Sequence, residues 1–200
     1  MVKRIELSGY IPVNCYIFSD DETKHCYIID PGAQVNVISA FIKSDGLIPD
    51  CILLTHGHFD HSGEVNAIRK KFDIPVYCYS NEYLEDPDLN LSCEFYPFTV
   101  ENTLRYPDVI TLKDGHLPLK VLHTPGHTDD SVILYSEEKG IAFSGDTIFK
   151  QGMGSYILPG GDYYKLASSL KNIVFSLPDN TVLYPGHGDV TKIGGQFPHS

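Results

Sequence analysis

The 200-residue sequence predicts an α/β protein with two β-sheets and helices on their outer faces. Three observations carry that reading. Strand-type segments precede a helical period in both halves of the chain. Residues 51–54 (CILL) are an apolar run without polar alternation, the mark of a strand buried on both faces. No Gly/Ser linker or low-complexity tract divides the chain, so residues 1–200 read as one domain with room for a sizeable core.

The elements follow in order. Residues 14–19 and 25–29 are rich in β-formers and flank the polar DDETK, which predicts a hairpin. Asp30-Pro31-Gly32 is a turn signal. Val35, Ile38, Phe41 and Ile42 recur at helical spacing. After the strand at 51–54 come a helix over 64–72 and a strand over 75–79. Residues 81–107 are polar and aromatic, broken by Pro87, Pro97 and Pro107; they read as short helices and loops beside a functional site, or as a surface connection. Strands at 109–112 and 117–123 are joined through Lys113-Asp114-Gly115, and strands at 131–135 and 141–144 through residues 137–140. Leu166, Leu170, Ile173 and Val174 predict a helix over 163–175, and 181–184 a last strand.

Composition narrows the function. A net charge of −11 and a pI near 5.1 argue against a general nucleic-acid binder, which needs a basic face. No run of 18 or more apolar residues predicts a membrane span, and the N-terminus lacks the apolar core of a signal peptide. Cys15, Cys26, Cys51, Cys78 and Cys93 are scattered, odd in number and mostly within apolar runs. They read as buried free thiols of a reducing cytoplasm. A monomer or small homo-oligomer acting on a small molecule is expected.

Residues 55–61 read THGHFDH. A chance HxHxDH arises at under about one position in a million, so satisfied core or turn histidines do not account for it. His56 and His58 are two apart and project to one side of an extended segment. Asp60 and His61 follow at the entry to a helix and can face a neighbouring point. One loop can therefore supply two ligands to each of two adjacent cations. Imidazole suits zinc, iron and copper, and the carboxylate adds a hard anionic donor. Further donors lie downstream: His127 in HTPGHTDDSV, Asp146 after IAFSG and His187 after TVLYPG, each preceded by glycine.

THGHFDH, HTPGHT, FSGDT and YPGH, in this order, resemble the metallo-β-lactamase superfamily over nearly the whole chain. DPDLNLS and GMGSYILPGGD make it most similar to the short, glyoxalase II-like (hydroxyacylglutathione hydrolase-like) hydrolases. The resemblance implies a four-layer αββα sandwich with two divalent metal ions, zinc favoured, iron and manganese possible. One ion would be held by His56, His58 and His127, the other by Asp60, His61 and His187, with Asp146 bridging them. It further implies hydrolysis by a hydroxide shared between the ions, on a small thioester such as S-D-lactoylglutathione. Asp60 would be a ligand, or would also orient the hydroxide as a catalytic residue.

Other residues stay open between roles. His123 either orients a ligand or is a plain strand-end residue. Thr128 and Asp129 support His127 or shape a turn. Tyr156, Tyr163 and Tyr164 line the pocket or pack the core, and His25, His116 and His199 read as surface residues. Lys150 is a candidate anchor for an acidic substrate. Two departures from full-length glyoxalase II bear on glutathione recognition: no counterpart of its C-terminal helical domain is expected, and Ser155 stands where it has a glutathione-contacting lysine. The main alternative is a persulfide dioxygenase with one iron at His56, His127 and Asp146; a lactonase is another. A β-lactamase is disfavoured because Asp146 replaces the cysteine of one major branch and no secretion signal is visible. A flavodiiron oxidoreductase and a nuclease are also disfavoured; a non-enzymatic binding module is the remaining class and would need the site to be occluded or metal-free.

Overall fold

The computed structural model describes residues 1–79, 103–158 and 160–195. Two six-stranded mixed sheets lie face to face. The first has the order β1 (Val2–Leu7), β2 (Val13–Ser19), β3 (His25–Ile29), β4 (Ile48–Leu53), β5 (Val76–Cys78), β6 (Thr103–Arg105). The second runs β12 (Thr191–Lys192), β11 (Val182–Pro185), β10 (Ile141–Gly145), β9 (Val132–Ser136), β8 (Leu119–His123), β7 (Val109–Ile110). Pairing is antiparallel from β1 to β3 and parallel from β3 to β6. In the second sheet only β10 and β11 pair in parallel.

Strand alternation assigns the layers. In β2, Cys15 and Ile17 face α1 (Val35–Ser44) and α3 (Val65–Phe72), while Tyr16 and Phe18 face the other sheet. In β9, Val132 and Leu134 meet the first sheet, and Ile133 and Tyr135 pack under α4 (Tyr163–Asn172). These strands are apolar at consecutive positions because both faces are covered. The result is the αββα sandwich: α1 and α3, two sheets, then α4. The central layer is aromatic, with Tyr16 and Phe18 at 5.4 and 5.6 Å from Phe143 between ring centroids. Asp162 caps α4, its carboxylate accepting from the backbone N–H groups of Tyr164 and Lys165.

The strands and helices expected from periodicity are present, with small shifts of boundary. Three strands escaped the sequence reading. β1 is an edge strand whose exposed positions interrupt its apolar pattern. β6 and β12 have three and two residues, too few to show a period. Residues 103–105, expected within a stretch of helices and loops, thus form a strand paired with β5. The rest of that expectation, over 81–102, lies outside the described residues. The helix expected over 163–175 ends at Asn172 and passes into a 3-10 turn at Val174–Ser176. Cys15, Cys26, Cys51 and Cys78 are buried free thiols, and Cys93 lies outside the described residues. Among the described residues no helix is long and apolar enough to cross a membrane.

Candidate metal centre

The ligand candidates stand at strand ends. His56 and His58 follow β4, Asp146 follows β10, His187 follows β11, and His127 sits in the β8–β9 connection. A short helix, α2 (Phe59–Ser62), carries Asp60 and His61 immediately after the loop. The fold gathers all seven into three overlapping groups: His56, His58 and His127; His56, His61 and Asp146; and Asp60, His61 and His187. Within each group the donor atoms lie within 4.8 Å of one another.

His58 Nδ1 lies 3.0 Å from His56 Nε2 and 2.9 Å from His127 Nε2. The outward nitrogens decide which atoms are bare. His127 Nδ1–H donates to the Ser155 carbonyl at 2.7 Å. His56 Nδ1 lies 3.1 Å from Thr55 Oγ1, which donates its own hydrogen to Asp30 Oδ2 at 2.6 Å and so accepts from the ring. Both Nε2 atoms therefore present lone pairs inward. One hydrogen on His58 cannot satisfy both, whereas a cation among the three nitrogens can. Burial pushes the His56 imidazolium well below its ordinary range, neighbouring His61 and His58 adding to it. Burial, then His127, bring His58 down to about 4, and burial also lowers His127. Three neutral imidazoles are the form that binds a metal.

The second group has the opposite electrostatics. Asp60 Oδ2 is 3.3 Å from His187 Nε2 and 3.7 Å from His61 Nε2. Asp146 reaches both groups: Oδ2 lies 3.6 Å from His127 Nε2 and 3.3 Å from His187 Nε2, and Oδ1 3.3 Å from His61 Nε2. Burial opposes charge on His61, but the Asp146, Asp60 and Asp30 carboxylates outweigh it and raise its pKa well above the ordinary range. His187 rises to about 10 against burial, through hydrogen bonds to Asp146 and Asp60. Burial likewise opposes the Asp146 carboxylate, and His61 and His187 hold its pKa well below the ordinary range. Two converging carboxylates thus call for positive charge. Asp146 Oδ1 is buried and makes no hydrogen bond, which suits an oxygen aimed at a cation. The donor set fits a pair of divalent cations.

Glycines let these donors converge. A Cβ on Gly126 would overlap the backbone of Leu166, and one on Gly186 would overlap Asp146 Oδ1 and His61 Cε1. Gly186→Ala is expected to misplace the donors by around an ångström and lower activity about a hundredfold, with a small change in the thermal midpoint. Steady-state kinetics beside calorimetry would check it.

Several supporting residues carried no sequence signal. Asp30, read only as part of a turn, is buried and accepts from Thr55 N at 2.8 Å, Thr55 Oγ1 at 2.6 Å and His61 Nδ1 at 3.0 Å. Pro12 O accepts from His187 Nδ1 at 2.6 Å. Asp130 Oδ1 accepts from Thr128 Oγ1 at 2.6 Å, so Thr128 shapes the turn, as does Ser131 beside it. Asp129 pairs with Lys165 on the surface. His123 bonds Asp129 O at 2.8 Å and stacks on Tyr79; it belongs to none of the three donor groups. Tyr156, Tyr163 and Tyr164 are exposed and lean on one another, so the core-packing reading does not hold for them. Lys150 is exposed and bonds Asp189 at 3.0 Å. His116 is on the surface as expected, 3.3 Å from Asp20, whereas His25 is half-buried and pairs with Asp50 at 2.7 Å. His199 lies outside the described residues.

Asp130 offers a pH test. Burial is the main cause raising its carboxyl to about 6, against hydrogen bonds that favour the anion. A raised folded-state pKa stabilises the fold while the group is protonated, and that contribution is lost as pH rises through 6. Asp130→Asn removes the titration. The stability difference should move in the variant's favour by about 2 kcal/mol between pH 4 and 7.5. Urea denaturation of both proteins across that range would show it, and a pH-independent difference would contradict it.

Comparison with known proteins agrees with this geometry. A family model described as the metallo-beta-lactamase superfamily matches residues 9–187. The chain belongs to the metallo-β-lactamase superfamily. It is similar to the hydroxyacylglutathione hydrolase GloC of Haemophilus influenzae, at 33% identity over 188 residues, covering 90% of this chain and 88% of that protein. Among solved structures, the BLEG-1 B3 metallo-beta-lactamase superposes with a TM-score of 0.87 at 39% identity, covering 98% of this chain and 95% of the other. TTHA1623 in a di-iron-bound form superposes with a TM-score of 0.84 at 34% identity, covering 96% of each. The αββα sandwich is thus the metallo-β-lactamase fold, and the superfamily is one of metallo-hydrolases that bind divalent metals.

Proposed function

We propose that this chain is a two-metal hydrolase of small thioesters of the hydroxyacylglutathione kind. The observation that carries the reading is the position of Asp146, whose two oxygens face two separate donor triads. In this reading His56, His58 and His127 would hold one cation and Asp60, His61 and His187 the other, with Asp146 as a ligand available to each. Zinc suits the donor set, iron or manganese are accepted by the same atoms, and the di-iron form of TTHA1623 supports iron. When bound, the pair supplies a water acidified to near neutrality and an electrophile for the scissile carbonyl oxygen.

The protein's own groups do the rest. Burial keeps the first three imidazoles uncharged, so no proton has to leave them. Outward hydrogen bonds to Thr55, Asp30, Ser155 and Pro12 fix the orientation of four rings. Asp60 can orient a nucleophilic water through its second oxygen. Lys150, once released from Asp189, is the candidate anchor for an acidic substrate arm. The likeness to GloC supports the thioester.

The test is thiol release from S-D-lactoylglutathione by the purified full chain loaded with zinc, iron or manganese. Turnover supports the reading; none with any of the three metals overturns it. The likeness to BLEG-1 favours β-lactam hydrolysis as a second reading, so a chromogenic cephalosporin belongs in the panel. Oxygen consumption with glutathione persulfide at one iron per chain would instead identify a dioxygenase.

A further inference from the structure

His187 depends on a part of the chain that the ligand pattern does not include. It follows β11 of the second sheet, yet its loop is gripped from the first. The Asn14 backbone N–H donates to Gly186 O at 2.7 Å. The Asn14 side-chain amide spends both hydrogens on the same loop, one on Pro185 O and one on Gly188 O, each at 2.9 Å. Tyr16 Oη donates to Pro185 O at 2.6 Å. Asn14 thus reaches carbonyls on both sides of His187, and it is 1% exposed, so water does not readily take its place.

The loop needs such a brace. His187 stands between Gly186 and Gly188, the latter at φ +72°, so neither neighbour offers a side chain to hold the backbone. It is also the more open end of its triad: its side chain is 26% exposed, against 0% for His61 and 9% for Asp60. His56 and His127 donate their outward hydrogen bonds to Thr55 and Ser155, away from this brace.

We propose that Asn14 is a positioning residue for His187 and that its side-chain amide decides whether the chain retains one divalent cation or two. The inference rests on the assignment of Asp60, His61 and His187 as one metal's ligands. A metal–imidazole bond tolerates only a few tenths of an ångström, so removing the amide, which takes one donor from Pro185 O and one from Gly188 O, weakens the cation that His187 helps to hold. The cation among His56, His58 and His127 keeps its ligands unchanged.

The experiment uses the zinc-loaded full chain, dialysed against graded chelator, with zinc per chain counted at each step. In Asn14→Ala the more weakly held zinc should leave at a tenfold or lower chelator concentration than in the wild type, while the other zinc leaves within threefold of its wild-type value. Tyr16→Phe, which removes one donor and keeps the amide, should shift the same zinc by about threefold in the same direction. Ile42→Val, on the buried face of α1, serves as a control for general destabilisation and should retain both zinc ions as the wild type does. Should Asn14→Ala fail to fold, Tyr16→Phe decides by the same count. A wild type that holds two zinc ions, with either variant losing both equally or neither, overturns the role of Asn14 alone. A wild type that holds a single zinc overturns the two-metal reading and this inference with it.

Discussion

Asp146→Ala is expected to release both metal ions and lower hydrolysis by at least about a thousandfold. Asp146 is the one donor whose two oxygens face both triads: Oδ2 lies within 3.6 Å of His127 and 3.3 Å of His187, and Oδ1 within 3.3 Å of His61. In the two-metal reading, removing it strips an anionic donor from each cation at once. It also removes the carboxylate that most favours charge on His61, so that imidazole becomes easier to deprotonate. The sandwich should stay folded, because Asp146 lies at the end of β10 and the aromatic layer between the sheets does not depend on it. Metal analysis, circular dichroism and activity on one preparation make the check. Full activity in the variant would contradict the bridging role.

Asp30→Asn should have the next largest effect, lowering metal affinity about 10- to 100-fold and stability by about 2–4 kcal/mol. Asp30 is buried and accepts three hydrogen bonds, two from Thr55 and one from His61. Through the Thr55 hydroxyl it also sets the tautomer of His56, so one carboxylate orients a ring in each triad. An amide is nearly the same shape and tolerates the positive φ of 52° at this position, so the backbone is undisturbed. Its nitrogen, however, must point a donor at Thr55 or at His61 Nδ1–H, leaving one buried donor without an acceptor. Chelator competition, with denaturation run alongside, would measure both losses. A metal affinity within twofold of the wild type would show that Asp30 only shapes its turn.

These two residues mark how far the sequence could be read. Asp146 was legible because FSGDT stands in a pattern with THGHFDH, HTPGHT and YPGH. Asp30 was not, since Asp-Pro-Gly is an ordinary turn signal and nothing local ties it to a histidine 31 positions away. Asn14 looked like the first residue of a strand, NCYIFS, and its amide finds carbonyl partners far along the chain, at Pro185 and Gly188. The helices and most strands were legible because burial imposes a period. The edge strand β1, with one side open to solvent, and the two-residue β12 impose none.

By itself the sequence determined the donor-rich loop, because His56, His58, Asp60 and His61 are neighbours whose spacing alone puts them in one turn. It determined the two-sided strand at 51–54 as well, since apolar residues at consecutive positions require cover on both faces. Only the tertiary structure decided which distant donors close each triad and which oxygens hold the rings. His61 meets His187 across 126 positions and Asn14 meets Gly188 across 174. Such contacts arise from how two sheets pack and twist together, which no local pattern of residues encodes.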